Sequence, residues 1–229
     1  VRQCQVGIRD SPRPRGTELL AALESLGPRP ALAWHEEGGR IELSGHVLAN
    51  WVTKAIGHLD AEVALQSGDL LVLDLPPHWK RLVLALAGWS LGARVEILAT
   101  GADDVHEDGI RVLATDRPGS DLADDAEDVL ALAAVSLAPR FAGELPPLAH
   151  DWVQEVRAHP DRLAAALPAW SGPQPGGDHE GVPRLLVPGD GLGHVEAALG
   201  AWLAGGGIVG PAEELDERAV ADEAVTGRP

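Results

Sequence analysis

The sequence lacks tyrosine, has one phenylalanine at Phe141, and relies on seven tryptophans for its remaining aromatic carbocycles. Ala, Leu and Val must therefore fill the interior. Lysine occurs only twice, at Lys54 and Lys80, so few cations are placed to grip phosphate. Cysteine occurs once, at Cys4, which excludes an internal disulfide framework and a Cys-based metal site. No apolar run reaches the ~20 residues needed to span a bilayer. The longest, from Leu82 to Leu91, is broken by Gly88 and Ser90. The opening stretch "VRQCQVGIRDSPRPRG" has no apolar segment of the secretory type. These absences predict a soluble cytoplasmic protein, with residues 1–16 as a poorly ordered, disordered leader.

Positive charge is scarce. There are 35 acidic against 18 basic residues, a formal net charge of −17. Such a surface repels polyanions, which argues against nucleic acid and against an anionic membrane as partners. The runs "ADDVHEDG" and "DLADDAED" are expected to be solvated loops. With 229 residues, 45% hydrophobic and 23% charged, the chain can form one large domain, or one full lobe plus part of another.

Hydrophobic patterning gives the order of elements. Thr17 is placed to cap a helix, "ELLAALESL", with Leu19, Leu20, Leu23 and Leu26 on one side. "ALAWHE", Gly38-Gly39 and "RIELS" read as a hairpin. Ser44 caps a helix whose stripe is Val47, Leu48, Trp51, Val52, Ala55, Ile56 and Leu59. "GDLLVLDL" (68–75) has the continuous apolar character of a strand buried in a parallel sheet. Pro76 and Pro77 open a helix over "HWKRLVLALAGWSL", and Gly92 ends it before the strand "ARVEILA". Strands are expected at "IRVLAT" and "DVLALAAVSL", then a helix over "LAHDWVQEVRAH" with Trp152, Val153 and Val156 inward. After the Gly/Pro-rich break come "PRLLVPGD" as a strand and a helix presenting Val195, Ala198, Leu199, Trp202 and Leu203. "GGIVG" is a short strand and "AEELDERAVADEAV" a last helix. The alternation predicts an α/β fold, a largely parallel sheet with flanking helices. The expected divisions are a main lobe over 17–165, a linker over 166–182 and a strand–helix–strand–helix unit over 183–229.

Several motifs tempt. "GWSLG" (88–92) matches G-x-S-x-G, but Ser90 ends a helix and precedes a strand, the reverse of a nucleophile elbow. "DVHEDG" (104–109) starts like a calcium loop, yet has His106 at its third position and Thr115 at its twelfth. The nine histidines form no H-x-x-x-H or H-x-H pair, so no metal site is expected. His46 and His58 share a helix but lie too far apart for one ion. "VPGDGLGHVEAALG" leads a strand through Gly189, Gly191 and Gly193 into a helix, a turn able to face an anion. His194 stands where a dinucleotide fingerprint wants glycine, and Asp190 adds negative charge. A tight turn is the favoured reading, and a small-anion site using Gly189, Gly191, Gly193 and His194 the minority one. "WSGPQPGGDHEG" (170–181) has glycines and one hydroxyl, Ser171, but no cation. Asp178 and Glu180 add repulsion, and Pro173 and Pro175 remove two N–H donors. It is expected to be a linker.

"IELSGHVLANWVTKAIGHL" and "LQSGDLLVLDLPPHWKRLVLALAGWSLGARVEI" resemble the first lobe of the AMP-forming acyl/aryl-CoA synthetases and ligases, with Gly68-Asp69, Pro76 and Gly92-Ala93 in the family's places. "LLVPGDGLGHVEAALGAWLAGGGIVG" resembles the strand–helix–strand after the ATP loop in the second lobe. "AAVSLAPRFAGELPPLAHDWVQEVRAHPDRL" resembles short actinobacterial proteins of unknown function that are similar to these ligases. The resemblance implies an acyl-CoA synthetase N-terminal-domain-like first lobe and a partial second lobe. It places the family's Thr-, Ser- and Gly-rich, lysine-ended ATP loop at "SGPQPGGDHEG", where Ser171 and Gly172 are the degenerate remnants. The adenine and ribose motifs and the lid with its catalytic lysine would fall beyond this chain. The acyl-pocket wall would be altered near Gly189–Gly191. No catalytic residue carries over.

Adenylation needs a held triphosphate and cations that spread charge. The expectation is thus a non-catalytic descendant without cofactor, binding a small molecule or a protein. One rival is an enzyme or binder using the Gly189–Gly193 turn for a nucleotide or phosphorylated ligand. The other is an oligomer subunit that completes its sheet on a partner, with an apolar, unpaired edge at "GGIVG".

Overall fold

The computed structural model describes residues 16–36, 39–99, 109–133, 137–164, 166–177 and 181–229. The expected leader up to residue 15, Gly38, the acidic stretch 101–108 with His106, and Asp178 and Glu180 lie outside the described residues.

Helix α1 (Gly16–Leu26) buries the four leucines of its stripe. Thr17 lies inside its first turn rather than at the cap, because the helix already starts at Gly16. Strands β1 (Pro30–Glu36) and β2 (Gly39–Ser44) form the antiparallel hairpin. Ser44 caps α2 (Gly45–Ala61), its hydroxyl accepting from the Val47 amide at 3.3 Å. Leu48, Val52, Ala55, Ile56 and Leu59 turn inward, whereas Val47 is 39% exposed at the edge of the stripe.

Strand β3 (Leu70–Asp74) is buried throughout, as expected of a strand covered on both faces. It pairs in parallel with β4 (Arg94–Ile97) and β5 (Ile110–Thr115). Strands β6 (Ala126–Ala131) and β7 (His150–Asp151) extend this sheet in the order β4-β3-β5-β6-β7, every pairing parallel. Alternation along β3 sends Leu71 and Leu73 into the main core, and Leu70 and Val72 into a second cluster on the other face. That second cluster explains the run "DLADDAED". It is not a solvated loop: Leu122 and Ala123 in the one-turn helix α4 (Asp121–Asp124) cap the cluster, and β6 begins at Ala126.

Helix α3 (Trp79–Ser90) is buried at every residue, which accounts for its nearly all-round apolar sequence. A Cβ on Gly88 would lie 2.7 Å from Leu71 and 2.8 Å from Val95, so glycine lets the helix rest directly on β3 and β4. Pro76 and Pro77 precede the helix instead of opening its first turn. His78 is the cap, still extended, with its side chain accepting from the Lys80 amide. The segment expected as one helix from Leu148 splits. Its start joins the sheet as β7, and α5 (Trp152–Val156) follows with Trp152, Val153 and Val156 buried.

The chain's last third forms a second sheet with its first hairpin. Strands β8 (Arg184–Leu186) and β9 (Gly207–Gly210) flank α6 (Val195–Leu203), and the order is β2-β1-β9-β8. Strand β9 pairs in parallel with both β1 and β8, so "GGIVG" is interior and offers no free edge, contrary to the expectation for a sheet-sharing subunit. Trp202 is fully buried and its indole donates to the Ala31 carbonyl at 2.9 Å, while Leu203 is 43% exposed. One main core runs from Leu19 through α2 and α3 to Ile208. The last helical stretch is shorter than expected, a turn at Ala212–Glu214 and then α7 (Glu217–Asp222). Among the described residues no helix is long and apolar enough to cross a membrane.

Candidate functional site

Parallel strands present ligands beyond their carboxyl ends, so polar residues gathered there are the first to weigh. Strand β3 ends at Asp74 and β5 at Thr115, aligned by the parallel register. The Thr115 hydroxyl donates to Asp74 Oδ2 at 2.8 Å, and Arg117 Nη2 reaches both carboxylate oxygens at 3.1 Å. The buried Asp74 carboxylate is therefore fully served. Beside it, burial and then the Asp74 charge push the Asp116 carboxyl up from its ordinary value.

The first turn of α3 adds three polar side chains to an otherwise apolar helix. His78 Nδ1 accepts from the Lys80 amide at 3.2 Å, which leaves its proton on Nε2. Burial, and then Lys80, bring the His78 imidazole down to about 3, so it is neutral. Lys80 is 1% exposed. Its ammonium donates to the Ala133 carbonyl at 3.2 Å and stands 5.7 Å above the Trp79 ring. Burial first, and Arg157 second, lower Lys80 to about 8. An amine titrating there exchanges a proton near neutrality, or holds a carboxylate in a water-poor place. The sequence shows the cue, Lys80 and Arg81 after Pro-Pro-His-Trp at the end of a buried strand, but only the fold reveals the burial.

Arg81 completes the turn. Its Nε and Nη2 meet Asp190 at 2.6 and 3.0 Å, and Nη1 donates to the Leu75 carbonyl at 2.8 Å. Asp190 also accepts from the His78 amide at 3.2 Å and the Leu192 amide at 3.3 Å. The negative charge in the glycine turn is thus a buried tie between the two sheets. The Gly189 amide donates to Glu213 at 3.1 Å, the Gly191 amide to the Pro188 carbonyl at 3.0 Å, and the His194 amide to the Gly191 carbonyl at 3.0 Å. Gly189 and Gly191 have φ of 51° and 81°, left-handed conformations that favour glycine. Those three N–H groups are committed to internal acceptors.

Ser171 and Gly172 are committed as well. The Ser171 hydroxyl donates to the Ala93 carbonyl at 2.7 Å, and its amide to the Trp89 carbonyl at 3.2 Å. A Cβ on Gly172 would stand 2.6 Å from the Trp89 ring and 2.7 Å from that of Trp170. The Trp170 indole donates to the Pro173 carbonyl at 3.0 Å, closing the segment on itself. Ser90 is buried, its hydroxyl donating to the Leu86 carbonyl at 2.7 Å, so it serves the helix end.

Beyond Pro173 the segment opens. Gly176 and Gly177 face the start of α6 across a cleft of about 900 Å³, with Leu185, Gly193, His194 and Arg228 among its walls. The Gly176 amide anchors one rim by donating to the Glu196 carbonyl at 2.9 Å. A Cβ on Gly193 would meet no atom within 4 Å. The fold therefore gathers the distal part of the linker and two of the four turn residues, Gly193 and His194, around one opening. Ser171 and Gly172 do not line it.

No family model matches the sequence. A "TIGR03089 family protein" of Mycobacterium tuberculosis is 30% identical over 142 residues, covering 61% of this chain and 57% of that protein. Among solved structures, acetoacetyl-CoA synthetase from Streptomyces lividans superposes with a TM-score of 0.67 at 16% identity, over 93% of this chain and 41% of its own. The N-terminal domain of FACL13 from Mycobacterium tuberculosis gives 0.64 at 15% identity, over 93% and 62%. The Klebsiella oxytoca NpsA N-terminal subdomain in complex with 3-hydroxybenzoyl-AMSN gives 0.60 at 12%, over 94% and 59%. The chain thus spans somewhat more than half the length of the curated relative it matches. Its fold is that of the N-terminal region of the acyl-CoA synthetases and adenylation domains, as the sequence resemblance implied.

Proposed function

We propose that this chain is a non-catalytic binding protein built on the N-terminal fold of adenylate-forming synthetases, and that it takes a small organic ligand in the cleft beside α6. The observation that carries the reading is the fate of Ser171 and Gly172. The hydroxyl that would face a phosphate donates to the Ala93 carbonyl, and the glycine is clasped between two tryptophan rings. A phosphate cradle needs outward amides, hydroxyls and a cation, whereas the Ser171 amide and hydroxyl go to the Trp89 and Ala93 carbonyls and the Trp170 indole to Pro173. The cleft beside it is large enough for a drug-sized molecule, and its walls mix apolar side chains such as Leu185 with polar ones such as His194 and Arg228.

A second reading is supported by Gly193 and His194 on the cleft wall: an enzyme or binder that uses the glycine turn for a nucleotide or phosphorylated ligand. A thermal-shift screen separates the two. Carboxylic acids, CoA, nucleotides, NAD and sugar phosphates are tested against the wild-type chain and Gly193→Trp, which fills the cleft from a position with open space. Stabilisation by a non-phosphorylated compound, lost in Gly193→Trp, supports the first reading. Stabilisation only by phosphorylated compounds supports the second. Ligand stabilisation unaffected by Gly193→Trp removes the cleft from both.

A further inference from the structure

The histidines that form no motif in the sequence meet in space. His58 lies on the inner face of α2 and is 0% exposed, His150 opens β7, and Glu155 belongs to α5. Glu155 Oε2 is 3.0 Å from His58 Nε2 and 2.7 Å from His150 Nδ1. One donor atom from each of the three residues lies within 4.8 Å of the other two. We propose that His58, His150 and Glu155 bind one divalent transition-metal ion, with zinc the best chemical match and at least one coordination position left to water.

The donor set decides the metal class. Two imidazoles and a carboxylate suit zinc and its neighbours, whereas magnesium and calcium prefer all-oxygen shells. Bonds of ~2.0–2.2 Å in a tetrahedron set ligand atoms roughly 3.3 Å apart. The two spacings to Glu155, 3.0 and 2.7 Å, are shorter than that value by a few tenths of an ångström, so ligation asks for side-chain adjustment and not for a new backbone. Each ring must then turn a lone pair inward and carry its proton on the other nitrogen. For His150 that nitrogen, Nε2, faces Asp128 Oδ1 at 3.8 Å, the outer carboxylate that commonly orients a metal-bound histidine. For His58 it is Nδ1, which has no hydrogen-bond partner among the described residues. Glu155 and His150 are half-buried, leaving a path for the ion. None of the three residues lines the cleft beside α6, so this inference does not depend on the ligand proposed there.

The test uses the full chain, stripped with EDTA and titrated with zinc sulfate against a chromogenic chelator. One equivalent bound at micromolar affinity or tighter is expected, with a rise in melting temperature and no competition from magnesium. Cobalt in place of zinc should give the visible bands of a four- or five-coordinate ion. His58 is core, so the diagnostic variants are His150→Ala and Glu155→Gln, with folding checked by circular dichroism. Each should weaken zinc binding at least tenfold, while His46→Ala on the exposed end of α2 should leave it unchanged. Binding weaker than micromolar, equal competition by magnesium, or affinity unaffected by both variants would overturn the assignment.

Discussion

Arg81 and Asp190 face one another as a two-pronged ion pair, at 2.6 and 3.0 Å, with both side chains less than a tenth exposed. They join α3, which rests on the parallel sheet, to the turn that follows β8 in the mixed sheet. The pair is over-determined: Asp190 also receives two backbone amides, and Arg81 a carbonyl.

Removing one member should therefore cost more than a surface charge does. Asp190→Ala leaves Arg81 and two amides without their acceptor, and the loss expected is about 3–5 kcal/mol. Urea denaturation followed by tryptophan fluorescence measures it. A loss below about 1 kcal/mol, the surface range, would mean that the sheets do not depend on this tie.

The tryptophan clasp on Gly172 gives a second expectation. Gly172→Ala forces a methyl against the Trp89 and Trp170 rings and should destabilise by about 1–3 kcal/mol, the usual cost of overpacking. The near-ultraviolet circular dichroism of the tryptophans should change with it. A variant as stable as the wild type would show that the segment is loose, as a ligand-gripping loop could be.

Much of this was legible in the sequence, and the rest was not for physical reasons. The leucines of α1, the stripe of α2 and the run at 70–74 announce themselves through periodicity, because each element buries its own face. The resemblance was carried by the same stretches. Long-range pairings leave no periodic trace. That β9 slots between β1 and β8, and that Asp190 answers Arg81, follow from topology. The histidine cluster escaped because its ligands come from three elements, one of them a two-residue strand hidden within an expected helix. The sequence reads Ser171 and Gly172 as poor in phosphate-binding chemistry, but the approach of Gly172 to the Trp89 ring and the bond from Ser171 to the Ala93 carbonyl are seen only in three dimensions.

Glu223 gives a pH prediction. Burial alone would raise its carboxyl, but hydrogen bonds from Arg40, Arg184 and His35 outweigh it and hold Glu223 at about 2, against an ordinary 4.5. A depressed carboxyl contributes stability that is fully present above about 4.5 and is lost as pH falls towards about 2. The melting temperature of Glu223→Gln should lie below that of the wild type at pH 7, and the gap should close as the pH falls through that window. A gap that is constant with pH would contradict the assignment.

Lys80 contributes a cost where Glu223 contributes a gain. Its folded value of about 8 lies below the ordinary 10.5, so the buried charge costs stability fully below about 8, and the cost fades as pH rises to 10.5. Lys80→Met should therefore be at least as stable as the wild type at pH 7, and should lose that advantage at pH 10. Differential scanning calorimetry at the two values checks it. A variant less stable at pH 7 than at pH 10, relative to the wild type, would show that the ammonium's contacts with Ala133 and Trp79 outweigh its desolvation.

The central proposal is that Trp170–Pro173 does not hold a nucleotide. Isothermal titration of the full chain with ATP and magnesium tests it most directly. No saturable heat is expected up to millimolar ATP. A saturable isotherm in the micromolar range, abolished by Ser171→Ala, would contradict the account.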